Sequence, residues 1–331
     1  MNTARIFLTG ATGFIGSYVL QNCLKASYKV RVSVRKAEQV QALKDQFASH
    51  AGELDYVVIP DISKPEAFGN ALSDVDYVLH IASPMPGKGD DFKTDYLRPS
   101  VDGTQAILSA ARASSNVKRV IITSSILANI PLGEVNAKDV HVKEGDGLNI
   151  KVDPDMEFPE GMAGDGLKYQ ASKILAHQAA RAMIEKDKPA FPVITIHPTF
   201  VLGPTLLERS GKDISGINAW FWSSMGADSA PFPPALVDVR DIAEAHVRAI
   251  HAPVDKPMTE ILIDGQVTGG WDTVADLVEK KYPQLSLNWK RPFPKGMEVD
   301  VTRAETVLSM KWRPIGDTFS DLIEQQLSYS E

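Results

Sequence analysis

The chain of 331 residues has a single cysteine, Cys23. No internal disulfide can brace it, and Cys23 lies on an apolar helical stripe where a small core side chain suffices. There is no block of basic residues. Its 35 Lys and Arg are set against 42 Asp and Glu, and the formal charge of −7 is evenly spread. That argues against nucleic acid or an anionic membrane surface as the main partner. No apolar run approaches the roughly 20 residues that cross a bilayer. The first strand begins within about five residues of Met1, which leaves no room for a signal peptide. A reducing, cytoplasmic setting is expected. Repeats and low-complexity tracts are absent as well. What remains is an ordinary globular composition, long enough for two domains or one large α/β unit with an attached lobe.

The most informative stretch runs from Arg5 to Gly16. A short apolar run, fit for a strand buried on both faces, leads into glycines at Gly10, Gly13 and Gly16. Phe14, Ile15, Val19, Cys23 and Leu24 then recur at three- and four-residue steps, one stripe of a helix. Glycines at such spacing arise by accident roughly 0.1 times in a chain like this, so the spacing alone is weak. Strand, glycine turn and helix in that order open a dinucleotide-binding βαβ unit. The cofactor cradle is expected over Gly10, Thr12, Gly13, Phe14, Ile15 and Gly16, with the helix N-terminus offering its free N–H groups to phosphate.

Lys29–Val34 alternates and reads as the second strand. An acidic residue at its end would bond a ribose 2′-hydroxyl. Arg35 and Lys36 stand there instead, with no carboxylate before Glu38. Two cations suit a 2′-phosphate, so NADP is favoured over NAD. Leu54–Ile59 is the third strand, followed by Asp61 and Ile62 near the expected adenine site. Asp61 could bond the adenine amino group or cap the next short helix. Asp76–Pro84 reads as the fourth strand, and Ile81, Ala82 and Ser83 at its end allow a cofactor close to the backbone. His80 within it reads as a core histidine. A helix over Pro99–Ser114 and a fifth strand over Arg119–Thr123 follow, the strand ending at Ser124 and Ser125.

From Ile126 to Leu167 the periodicity fails, and a loop that long is usually functional or disordered. A helix from Leu167, a sixth strand over Phe191–His197, and a Trp-, Phe- and Pro-rich lobe over 205–235 come next. Val237–Asp241 is read as the return to the main domain, with further helices near Asp272–Lys281 and Asp317–Leu327. Strands alternating with helices imply an α/β fold, a doubly wound and mostly parallel sheet of the Rossmann kind. A smaller, discontinuous α+β substrate lobe completes it. The dinucleotide-binding domain is expected over 1–197 plus 236–264, and the lobe over 198–235 plus 265–331.

Open α/β sheets bind ligands at the carboxyl ends of their strands. Ser125 leaves the fifth strand, and Tyr169 and Lys173 are one helical turn apart on the helix after the long loop. A free phenol is a poor acid at neutral pH, and a nearby ammonium is expected to lower its pKa. Tyr169 would give a proton to a carbonyl oxygen while a nicotinamide gives hydride, Lys173 would tune it and hold the nicotinamide ribose, and Ser125 would polarise the carbonyl. Ser124 is the alternative for that last role. Phe200, Trp220, Phe221, Trp222 and Met225, with Met85, Leu127 and Ile130, are candidates for an apolar substrate wall or for plain core. No metal is expected, since no His, Asp or Glu cluster has ligand spacing.

Taken together the motifs resemble those of extended short-chain dehydrogenase/reductases, and among them the dihydroflavonol reductase-like carbonyl reductases, which include cinnamoyl-CoA reductases and fungal aldehyde and methylglyoxal reductases. The matching stretches are Thr9–Gly16, Val34–Arg35, His80–Pro84, Thr123–Ser125, Tyr169–Lys173, His197–Pro204 and Val237–Ala243. The 44 residues from Ser125 to Tyr169 (169 − 125) are somewhat more than such reductases have. The resemblance implies an NADPH-dependent carbonyl reductase with Ser125, Tyr169 and Lys173 catalytic. It also implies that Arg35 reads the 2′-phosphate, that Thr123 belongs to the cofactor site, and that Pro198, Thr199, Phe200 and Val201 line the nicotinamide. The expected partner is a hydrophobic or aromatic aldehyde or ketone, with the protein a monomer or homodimer. An NAD-retaining nucleotide-sugar epimerase or dehydratase would use the same Tyr and Lys, whereas a dinucleotide-sensing regulator would need neither.

Overall fold

The chain was analysed as a computed structural model, which describes residues 4–87, 89–137, 140–254 and 256–329. Seven parallel strands form the central sheet. They are β1 (Arg5–Thr9), β2 (Lys29–Val34), β3 (Leu54–Val58), β4 (Tyr77–His80), β5 (Arg119–Thr123), β6 (Val193–Pro198) and β7 (Met258–Ile263). Their order across the sheet is β7-β6-β5-β4-β1-β2-β3. The order reverses between β1 and β4, and such a switch point opens a crevice at the strands' carboxyl ends.

Side-chain alternation assigns the two faces. Ile6 and Leu8 join one apolar cluster with Val19, Leu20 and Cys23 of α1 (Phe14–Lys25) and Ile242 and Ala245 of α6 (Val239–Ala249). Phe7, Val120 and Ile122 point the other way, onto Ile107 and Ala111 of α3 (Arg98–Ala113) and Ala180 and Ile184 of α4 (Gly161–Asp187). The alternation follows from a strand period of two with helices packed on both faces. The helices between α1 and α9 in chain order also include α2 (Gln39–Gln46), α5 (Gly216–Ser224), α7 (Gly270–Lys281), α8 (Thr302–Val307) and α9 (Ile315–Ser328).

A third apolar cluster lies apart from the sheet. Phe221, Trp271, Trp289, Phe319 and Leu322 gather there from α5, α7, α9 and the chain between. Leu236–Asp238 pairs with Phe200–Leu202 in a separate two-stranded sheet, while Val237 and Val239 join the apolar cluster of the main domain at the start of α6. β7 lacks a clean strand pattern because Thr259 and Glu260 interrupt it, yet both side chains are buried. The expected fourth strand stops at His80, and Ile81–Pro84 leave the ladder.

The long stretch after Ser125 is built rather than loose. Its described residues include two single 3₁₀ turns and a two-residue strand, His141–Val142, paired with Glu298–Val299. α4 begins at Gly161, six residues before the point at which the sequence becomes visibly helical. Gly161, Gly164 and Gly166 dilute the helical pattern there. A methyl on Gly164 would fall 1.6 Å from the Pro159 carbonyl oxygen, so chain entry excludes a side chain.

Candidate active site

The glycine turn after β1 is shaped by backbone contacts. Gly10 has a φ of 80°, and a methyl there would stand 2.7 Å from the Ala82 nitrogen. A methyl on Gly16 would stand 2.0 Å from the Gly10 carbonyl oxygen. The turn therefore lies pressed against both its own helix and the end of β4. The Thr9 hydroxyl accepts from the Ile81 and Ala82 amides, both at 3.1 Å, and lies 3.0 Å from His80 Nδ1. Having accepted twice, it keeps its proton for Nδ1. Burial drives His80 down to about 4, so the ring is a neutral acceptor. This is the core histidine role expected of it.

Gly13 caps α1 without any side-chain bond, and Thr12 and Gly13 are exposed while Phe14 and Ile15 are half-buried. An uncapped helix start behind a turn stripped of side chains fits a pyrophosphate. At the end of β2, Gln39 accepts from the amides of both Arg35 and Lys36 at 3.0 Å. Arg35 is exposed, and among the described residues no carboxylate pairs with it. Asp61 does not cap the following helical turn, whose cap residue is Lys64. It accepts from the amide and hydroxyl of Ser63, and those bonds hold its carboxyl below the usual range. Ile62 beside it, like Ile81, Ala82 and Ser83 at the end of β4, is only partly covered.

At the exit of β5, the Ser125 hydroxyl accepts from the Leu127 amide at 3.2 Å and meets the Tyr169 phenol. Ser124 faces the far side, into a cavity shared with Lys173. Of the two adjacent hydroxyls, Ser125 is the one beside the phenol. Lys173 is buried, with Nζ 3.5 Å from the Thr123 carbonyl oxygen and 5.5 Å from the centre of the Tyr169 ring. The Thr123 hydroxyl is taken by His246 Nε2 at 2.7 Å, so only the backbone of Thr123 looks toward the site.

The electrostatics differ from the expectation that Lys173 lowers the phenol. Burial pushes Tyr169 up to about 12, with Ser125 pulling the other way, and burial pushes Lys173 down to about 8. Desolvation outweighs attraction at this separation. Near pH 7 the pair thus stands as a protonated phenol beside an ammonium, which is the state needed to donate a proton.

Gln170 follows the phenol in sequence and grips the long loop. Its Nε2 donates to the carbonyls of Ile130 and Pro131 at 3.0 and 3.2 Å, and its Oε1 accepts from the Gly133 amide at 3.0 Å. Beyond β6, Pro198 leads into Thr199, whose hydroxyl donates to Asp264 at 2.9 Å. Phe200 and Val201 then start the small second sheet.

The aromatic candidates separate. Phe200 stacks on Phe232 with centroids 4.4 Å apart, and the edge of Trp220 meets Phe232 at 5.4 Å. Trp220 and Met85 are exposed, and Leu127 is half-buried. Phe221 is fully buried against Trp271 and Phe319, Met225 lies in the same cluster, and Trp222 packs against it. Those three are lobe core, and Ile130, fully buried, is core of the main domain. A helix turns Trp220 and Phe221 about 100° apart, which explains why neighbours part company. Phe232, within a proline-rich run, gave no periodic signal and was missed.

Folding also assembles a group that linear spacing hid. His177, His197 and Glu260 bring one donor atom each within 4.8 Å of one another. His197 has Asn129 Nδ2 2.9 Å from Nδ1 and the Thr195 hydroxyl 2.8 Å from Nε2, while Arg181 pairs with Glu260. The carboxylate thus has the Arg181 guanidinium as its charge partner.

A parallel sheet with these two strand exits defines a dinucleotide-dependent α/β protein. More narrowly, the chain belongs to the NAD dependent epimerase/dehydratase family, whose pattern matches residues 6–263. Ketoreductase sphI of Aspergillus fumigatus is 30% identical over 333 aligned positions that cover 98% of each chain. Ketoreductase CTB6 of Cercospora nicotianae is 30% identical, covering 100% of this chain and 97% of its own. Among solved structures, yeast methylglyoxal/isovaleraldehyde reductase Gre2 complexed with NADPH superposes with a TM-score of 0.80 at 26% identity, over 98% of this chain and 99% of that one. Vestitone reductase of alfalfa, at 22% identity and a TM-score of 0.74 over 99% of each chain, shares the fold. Among the described residues no helix is long and apolar enough to cross a membrane.

Proposed function

We propose that this NADPH-dependent oxidoreductase reduces an aldehyde or ketone with an apolar or aromatic flank to the alcohol, with Tyr169 as the proton donor. The observation that carries the reading is the convergence of Ser125, Tyr169 and Lys173 where β5 leaves the sheet. Ketoreductases among the relatives and NADPH complexes among the structural neighbours support the same reaction class.

The glycine turn and the start of α1 would hold the pyrophosphate, Arg35 and Lys36 the 2′-phosphate, and Pro198–Val201 the nicotinamide side. The reduced nicotinamide supplies the hydride. The Ser125 hydroxyl orients and polarises the carbonyl oxygen, and the protonated Tyr169 gives that oxygen its proton as negative charge develops there. Lys173 supplies positive charge beside the phenol and stabilises it once the proton has left. Phe200, Phe232 and Trp220 offer the substrate a flat apolar flank.

Replacing Tyr169 with Phe removes the acid and keeps the ring. Carbonyl-dependent NADPH oxidation should fall by about 10²-fold or more, while NADPH still quenches or shifts the protein fluorescence as in the parent. An active Phe variant would overturn the role of Tyr169. An inert parent that still binds NADPH would favour the sensing role, and absorbance of a tightly held oxidised cofactor in the purified protein would favour epimerisation.

A further inference from the structure

One turn beyond Lys173, α4 carries a second buried ionisable side chain, His177. A narrow cavity lies between them, lined also by His80, Thr123, Ser124 and Thr195. Ala82, Ile122, Ala176 and Ala180 complete its walls, and a water is held where the polar groups face one another across it. On the far side, His177 Nε2 stands 3.3 Å from Glu260 Oε1. Neither ring nitrogen of His177 has an aligned hydrogen bond among the described residues, an uncommon state for a buried polar group. Glu260 is held by the Gly145 amide at 3.0 Å and by Arg181, whose side chain is 25% exposed and marks the surface end of the row.

The charged and titratable groups facing His177 come from four elements. They are Lys173 and Arg181 on α4, Glu260 on β7, His197 on β6 with its ring centre 4.8 Å away, and His80 on β4 across the cavity. Burial pushes His80 to about 4 and His197 to about 3, so neither ring is charged near neutrality. Burial would raise Glu260 too, but nearby His177 and the Gly145 amide outweigh it and hold the carboxyl below its usual range.

We propose that His177, backed by Glu260, returns protons from solvent to Lys173 across this cavity and so resets the site between turnovers. The proposal rests on the reading of Tyr169 as the acid. In each reduction the O–H bond of Tyr169 breaks and its proton forms the alcohol O–H. The phenolate then takes a proton from the Lys173 ammonium. The resulting amine takes one from the His177 ring through cavity water, as the ring takes one from solvent past Glu260. One solvent proton is consumed per carbonyl reduced, matching the one hydride taken from NADPH.

The test uses His177→Gln, which keeps a polar side chain, and His177→Ala, which leaves room for added imidazole. Stopped-flow NADPH oxidation separates the first turnover, for which Tyr169 already holds its proton, from later ones. The first turnover should stay within about twofold of the parent, while steady-state kcat falls about tenfold or more. Added imidazole should restore kcat in the Ala variant only, and the NADPH KM should not move. Unchanged kcat in both variants overturns the proposal. So does a first turnover that slows as much as kcat, since that marks a packing defect. These outcomes are read with Tyr169→Phe alongside: an inert Phe variant leaves the underlying reading intact, whereas an active one overturns that reading itself.

Discussion

Around the glycine turn, backbone touches backbone: the Gly16 Cα faces the Gly10 carbonyl, and Gly10 lies against Ala82. In the second lobe, ring touches ring: Phe221, Trp271, Trp289 and Phe319 pack edge to face and stacked, and the Trp271 and Trp289 indole N–H groups donate to the Phe232 and Ser224 carbonyls. Backbone contacts leave no rotamer to relax, so one added carbon forces the chain itself to move. Rings can be trimmed at the cost of a cavity, and rings at the rim can be trimmed with less. The region proposed to hold the cofactor is therefore the rigid one, and the lobe proposed to flank the substrate has side chains to exchange.

The strongest way to break that contrast is Gly16→Ala. The methyl would fall on the Gly10 carbonyl, so NADPH affinity by titration should drop beyond measurement or the protein should fail to fold. A variant that binds normally would mean the turn is soft. Phe221→Ala should next cost about 3–5 kcal/mol in denaturant unfolding, the usual loss for a buried ring. Trp220→Ala, one residue away on the exposed side, should leave stability within about 0.5 kcal/mol and change KM for an aromatic carbonyl by only a few-fold. If the two behaved alike, the division between core and rim would be wrong.

Arg35→Ser sharpens the cofactor side. Losing a charged bond to phosphate should cut the NADPH-to-NADH ratio of kcat/KM about tenfold or more. An unchanged ratio would take the 2′-phosphate away from Arg35. The gentlest effect is that of pH. Lys173, held down to about 8 by burial, carries its charge below that pH and loses it above. The reduction rate should accordingly decline as pH rises through about 8, and Lys173→Arg should remove that limb. A flat profile to pH 10 would show that the lysine charge plays no part.

Local physics made much of this visible in the sequence. β1, β2 and β5 are uninterrupted apolar or alternating runs, and four-residue spacing on a helix is enough to set Tyr169 beside Lys173. What could not be read depended on partners far along the chain. Glu260 looks wrong for a buried strand until His177 and Arg181 are beside it. The first two turns of α4 carry three glycines and an exposed Met162, so no apolar stripe announces them. The sign of the Tyr169 shift was misjudged because charge spacing can be read from sequence and burial cannot. The Phe232 platform is assembled by a proline-rich segment without periodicity.

The clamp formed by Gln170 has a mechanical consequence. The loop over 130–133 and the turn of helix bearing the phenol are joined through one side chain with three bonds. Any displacement of residues 130–133 therefore pulls on the helical turn that bears Tyr169.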